Sequence, residues 1–268
     1  MSKEANDKPV AVSNKKEECI YGRKWNTVHN GYFSDPKVAY PLINVIKQAI
    51  EMNQPNVVVD LGGGTGFILK ELLKHQVPSN MRFVNVDVSA LQLSECVDDR
   101  INYLQASVDQ INRNQFQPDE NGLMIVARSL LHYFGYSGLI PFLQHIRRQL
   151  KEGEIFVHQS ACFEKEEDTQ CLNLVYKLMS TPKWYTTIGN LKSMLKDAGF
   201  SVCNVCPAVK LRLESDELSE RYQLSPQQIA LISKEVNQRY GQKPELFISS
   251  ADCFTIWLHY SIFTCKAI

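Results

Sequence analysis

The chain has 268 residues, 44% of them hydrophobic, which suffices for one sizeable α/β core with accessory segments. Its 29 basic and 29 acidic side chains cancel, so the basic footprint of a nucleic-acid binder is missing. No apolar run reaches the roughly eighteen residues of a membrane span, and eight dispersed cysteines fit a reduced, cytoplasmic protein with structural thiols.

Residues 1–18, rich in Lys, Glu, Asn and Ser, read as a flexible tail without the apolar core of a signal peptide. The segment 19–50 places Tyr21, Trp25, His29, Tyr32 and Phe33 among polar residues, a composition suited to a helical lid. Pro41 is expected to open a helix in which Leu42, Ile43, Val45, Ile46, Ala49 and Ile50 recur at helical spacing. From residue 51 to 268 strands and helices alternate. Strands are expected at 57–61, 82–88, 101–105, 122–127, 154–159 and 200–205, and helices at 67–75, 90–98, 139–150 and 186–198. That rhythm predicts a parallel sheet with helices on both faces. Two inserts interrupt it, a partly helical one at 161–185 and a helical one at 213–250. A last strand is expected over 254–265, pairing back with the preceding strand.

The segment Asp60-Leu61-Gly62-Gly63-Gly64-Thr65-Gly66 joins the first strand to the next helix. Glycines there let backbone approach a ligand, and the helix start presents free N–H groups. A dinucleotide fingerprint would need glycine where Phe67 stands, and a P-loop would need Lys-Ser/Thr after Gly66. The remaining pattern, acid-x-Gly-x-Gly-x-Gly, resembles the first motif of class I S-adenosylmethionine-dependent methyltransferases. The resemblance continues in Asp87 after the second strand, in Leu130-Leu131-His132-Tyr133 after the fourth, and in Ala198-Gly199-Phe200. It spans roughly residues 50–206.

The resemblance implies a Rossmann-like α/β fold, a doubly wound sheet that is mostly parallel with an antiparallel last strand. It implies S-adenosylmethionine as cofactor and a small-molecule acceptor, with no metal, nucleic acid or membrane partner. The cofactor would be bound by Asp60, Gly62, Gly63, Gly64, Gly66, Asp87, Val88, Ser107, Val108 and Arg128. Asp60 would serve the methionine ammonium and Asp87 the ribose hydroxyls. Ser107 departs from the family's usual aspartate at the adenine position, and Asp109 is an alternative. His132 is the candidate catalytic base, although a histidine there can also simply line the pocket. Arg128 can equally bind an acidic substrate or form an ion pair. Tyr21, Trp25, His29, Tyr32, Tyr133, Gln159 and Trp184 are the candidate substrate contacts. Cys203 and Cys206 lack a second C-x-x-C and do not predict zinc. A cofactor-binding sensor or scaffold of the same fold is the alternative function, and the oligomeric state is not readable.

Overall fold

The computed structural model describes residues 28–75, 77–120 and 122–268; the tail, Tyr21 and Trp25 lie outside the described residues. Helix α1 spans Pro36–Asn53, so it begins at Pro36 rather than Pro41. Asp35 caps it by accepting the Lys37 N–H at 2.8 Å, Pro36 takes the tolerant first turn, and Pro41 sits inside the helix. Its buried stripe is Ala39, Leu42, Ile43, Ile46, Ala49 and Ile50.

The β-branched runs become β1 (Val57–Leu61), β2 (Arg82–Asp87), β3 (Ile101–Gln105), β4 (Leu123–Arg128) and β5 (Ile155–Phe163). They pair in parallel in the order β3-β2-β1-β4-β5. Beyond β5, a strand at Tyr260–Ala267 (β11) runs antiparallel to both β5 and β7 (Phe200–Pro207). This is the doubly wound, Rossmann-like sheet with an antiparallel last strand that the sequence implied. One face packs on α1 and α2 (Phe67–Leu72) through Val58, Met124, Val126 and Val157. The other packs on α4 (Gly135–Gln149) and α6 (Ile188–Asp197) through Val59, Ile125 and Phe156. A short α3 (Ala90–Ser94) links β2 to β3.

A third, aromatic core lies outside the sheet. It gathers α5 (Glu166–Leu178), α7 (Ser215–Tyr222), α8 (Pro226–Tyr240) and the aromatic side chains of Tyr32 and Phe33. It also contains a separate antiparallel sheet, in the order β8-β10-β9, made of β8 (Leu211–Glu214), β9 (Phe247–Ser249) and β10 (Phe254–Leu258). Two expectations are corrected here. The insert at 213–250 is not wholly helical, since it begins and ends in strands. The single last strand over 254–265 is two strands that break at His259 and belong to different sheets. At the break the His259 carbonyl accepts the Cys162 N–H at 2.9 Å, and its ring meets the Glu245 carbonyl at 2.8 Å.

A two-residue β6 (Thr186–Thr187) pairs with the end of β5. No helix among the described residues is long and apolar enough to cross a membrane.

In this strand order the chain switches sides of β1 between β3 and β4. The carboxyl ends of β1 and β4 therefore border the crevice where open α/β sheets bind ligands.

Candidate functional site

The glycine turn leaves β1 and folds back over β2. The N–H groups of Gly62 and Gly63 both donate to the Val86 carbonyl, at 2.8 and 3.2 Å. Gly63 has no room for a side chain: a Cβ would lie 2.1 Å from Asn85 Oδ1 and 2.6 Å from Asp60 Oδ2. Gly66 adopts φ +70°, and a Cβ there would lie 2.1 Å from the Cys96 sulfur. Asn85, fully buried in the middle of β2, locks the turn by donating from Nδ2 to the Gly64 carbonyl at 2.8 Å. Asp87 accepts the Gly64 and Ser89 N–H groups, each at 2.9 Å, and its carboxylate also lines the crevice.

Asp60 lies beneath the turn, 1% exposed, and neither carboxylate oxygen has a hydrogen-bond partner. Burial pushes its carboxyl up to about 7, the neighbouring Asp87 charge adds to this, and Arg128 opposes it. Asn85 Oδ1 is equally unpartnered and borders the same point. Two buried acceptor oxygens side by side favour either a proton or an incoming donor.

Arg128 ends β4 on the same sheet face. It donates to the Phe33 carbonyl at 3.0 Å and the Tyr32 carbonyl at 3.4 Å, with its guanidinium over both aromatic rings. It thus fastens the segment before α1 across the sheet edge. Burial lowers its pKa, partly offset by Tyr32, Tyr260 and Asp60. The next residue, Ser129, is left-handed at φ 57°, and its hydroxyl meets the Tyr260 hydroxyl at 2.6 Å.

One continuous cavity runs from this turn toward the aromatic core. Gly62, Asp87, Val88, Ser107 and Val108 line one end. Ser107 donates to Asp109, and Ser107, not Asp109, faces the cavity. Arg128 lines the middle; His29, His132 and Tyr133 line the other end. His132, 7% exposed on the turn Leu131–Phe134, stacks on Tyr185 with ring centres 5.4 Å apart.

Three expected contacts lie off the cavity. Gln159 is buried inside β5 beside Arg128, because β5 continues to Phe163 and does not end at Gln159. Trp184 turns its indole onto Tyr136, edge-on at 5.2 Å, and its backbone N–H donates to the His132 carbonyl. Tyr32 packs under the cavity, its ring stacked on Tyr260.

Residues that the sequence did not single out also converge there. Lys183 and Arg221, 7% and 9% exposed, both line the cavity. Each donates to the Tyr133 hydroxyl at 3.3 Å. Nothing local marks either residue, since one sits in a loop and the other in an amphipathic helix. Asn85 did carry a signal, as a polar residue within an apolar strand. Among the described residues no group of three or more His, Cys, Asp or Glu side chains could hold a metal. Cys203 is exposed and Cys206 half-buried, both as free thiols.

Comparison with known proteins gives one family match, a methyltransferase domain over residues 37–205. No curated protein matches the chain. Among solved structures, the YcgJ protein of Bacillus subtilis superposes with a TM-score of 0.62 at 11% identity, covering 84% of this chain and 97% of its own. Magnesium protoporphyrin IX methyltransferase of Synechocystis, with bound S-adenosylhomocysteine, gives 0.58 at 10%, covering 97% and 99%. The 1,6-didemethyltoxoflavin-N1-methyltransferase of Burkholderia thailandensis, with that substrate and S-adenosylhomocysteine bound, gives 0.55 at 14%, covering 98% and 92%. At these identities the likeness is one of fold.

Proposed function

The chain belongs to the methyltransferase-domain family, which uses S-adenosylmethionine, and on that premise we propose that it methylates a small molecule held in the cavity between the glycine turn and the aromatic core. The observation that carries this reading is the continuity of the cavity. Asp87 and Gly62 at one end share it with His132 and Tyr185 at the other, under a roof of aromatic side chains. A roofed, mostly apolar space suits a compact acceptor better than a duplex or a folded protein.

The residues present fit the cofactor. Asp60 offers a buried carboxylate without a partner, suited to the methionine ammonium directly or through water. Asp87 keeps acceptor capacity toward the cavity for ribose hydroxyls, Ser107 a hydroxyl for adenine, and Val88 and Val108 apolar walls. Gly62 lines the cavity and would let backbone approach the ligand, while Gly63 and Gly66 shape the turn behind it, against Asp60, Asn85 and Cys96, with Gly64 between them at positive φ. When bound, the cofactor supplies a methyl group on a positively charged sulfur that leaves as a neutral thioether.

Because that leaving group is already activated, the protein's task is to align the acceptor in line and exclude water. Tyr133, Tyr185 and the segment fastened by Arg128 would do so. His132 would take the acceptor's proton where the acceptor is a hydroxyl or a protonated amine. The free thiols among the described residues suit a reducing compartment such as the cytoplasm.

Calorimetry with S-adenosylhomocysteine tests the cofactor site. Asp87→Ala should weaken binding about tenfold or more, in line with losing charge-assisted hydrogen bonds. Mass spectrometry of a metabolite panel incubated with enzyme and methyl donor tests the acceptor class. Methylation of protein or nucleic acid with none of any metabolite would overturn the small-molecule reading.

A further inference from the structure

We propose that the hydroxyl pair of Ser129 and Tyr260 binds the methyl acceptor through one of its oxygens, a hydroxyl or carbonyl oxygen on an apolar or aromatic body. This rests on the methyl-transfer reading above and names its substrate class. Two observations carry it.

The first is where the pair stands. Parallel pairing sets Leu61 beside Ala127, so Gly62 and Arg128 follow at the carboxyl ends of β1 and β4, and Ser129 comes next. The Leu130 side chain reaches back to Gly62, within 3.2 Å of the point a Cβ would occupy there. Tyr260 opens β11, beside Ala161 of β5, and Ala161 lies two residues beyond Gln159, the β5 partner of Arg128. The phenol thus reaches across β5 to the end of β4. The two hydroxyls meet at 2.6 Å, and both residues line the cavity. A hydroxyl pair next to the glycine turn, at the edge where open α/β sheets bind ligands, is placed to hold the acceptor near the methyl donor.

The second is the hydrogen-bonding capacity that the pair keeps. Two hydroxyls carry two protons, and their mutual bond uses one. Neither hydroxyl has another hydrogen-bond partner among the described residues, so a proton and several lone pairs are left for whatever fills the cavity. Burial raises the Tyr260 pKa, with the Ser129 hydrogen bond and the Arg128 charge opposing it, so the phenol stays neutral and able to donate. The pair is also held in place. Ser129 has φ 57°, a left-handed value that serine rarely adopts, and its N–H donates to the Gln159 carbonyl at 2.8 Å. Tyr260, 3% exposed, stacks on Tyr32 with ring centres 5.9 Å apart. Leu211, Leu213, Leu258 and Tyr185 give the same cavity an apolar and aromatic wall. In such a setting an unmet hydroxyl is costly, so the pair favours an acceptor that brings an oxygen to it.

The test titrates paired probes against the full chain, both saturated with S-adenosylhomocysteine and without it. Naphthols are set beside methylnaphthalenes, hydroxyindoles beside methylindoles, and indanones beside indanes. Tyr260→Phe keeps the ring and removes one hydroxyl, and Ser129→Ala removes the other. Each substitution should weaken at least one oxygen-bearing probe about tenfold while changing its methyl or methylene match by no more than about twofold. A purely structural role would weaken both members of a pair alike. Whether the phenols or the ketones respond identifies the oxygen.

The proposal is overturned if every oxygen-bearing probe loses no more affinity than its match, or if no probe binds the unaltered chain. Thermal unfolding reports the folding of each variant. If the unaltered chain fails to bind S-adenosylhomocysteine, the methyl-transfer reading itself fails, while the titrations without it still decide what the hydroxyl pair binds.

Discussion

Asp60→Asn should make the unliganded protein more stable and the liganded one weaker. Asp60 is fully buried, with its carboxyl raised from 3.8 to about 7, chiefly by burial and then by Asp87. An acid whose folded pKa is raised binds its proton more tightly in the folded chain. Its contribution to stability is therefore best below about pH 4 and declines as pH rises toward 7. At about 1.4 kcal/mol per pH unit, the raised pKa costs about 4 kcal/mol at pH 8, where the folded carboxyl is ionised, and about 1.5 kcal/mol at pH 5, where the folded chain keeps it protonated and the unfolded chain would not. The neutral amide avoids that cost and can donate toward the unpartnered Asn85 Oδ1. Urea unfolding without ligand should show the variant gaining about 2–4 kcal/mol at pH 8 and much less at pH 5. An arriving ammonium would in turn ionise Asp60. Calorimetry at pH 7 in buffers of different ionisation enthalpy should then detect proton release from the native protein and none from the variant. Equal stability at pH 8 together with an unchanged pH dependence would refute the reasoning.

Gly63→Ala forces a Cβ against the buried Asn85 and Asp60 side chains. We expect a loss of about 1–3 kcal/mol in thermal unfolding, with S-adenosylhomocysteine binding reduced or abolished. For a hydroxyl acceptor, His132→Gln should lower kcat by about 10²-fold or more and remove one limb of the pH–rate profile. Unchanged cofactor affinity with an unaltered profile would leave His132 as packing against Tyr185. Arg128→Met releases the Phe33 and Tyr32 carbonyls. It should raise acceptor KM and speed proteolysis near residue 33, and a proteolysis rate equal to that of the native chain would contradict the fastening role.

The strands of the central sheet were legible because most are short apolar runs rich in β-branched residues, such as Val57–Leu61, and the alternation with helices determines a parallel arrangement. The small sheet was not. Its members β8 and β9 have four and three residues, too few for alternation to register, and they gain pairing only by meeting β10. The break at His259 was hidden for the same reason, since the alternating pattern runs through it unchanged. The misplaced contacts have a geometric cause. Gln159 was read as a strand end, but β5 gains a further partner in β6 and continues. Trp184 follows a proline-containing loop whose side-chain directions no period predicts.

The glycine turn, Asp60 and Asp87 are local features. The steric demands at Gly63 and Gly66 and the two acids act within one strand–turn–helix unit and its neighbour, so the turn and its acids are legible from spacing alone. The aromatic end of the cavity is non-local. Lys183 and Tyr222 lie 39 residues apart yet share a hydrogen bond, and Arg221 reaches His29 across 192 residues. In the sequence these are ordinary surface charges. Only the packing of α7 and the segment before α1 onto the aromatic core removes them from water and gathers them at the cavity. Burial is a property of the assembled fold and not of any local stretch of sequence.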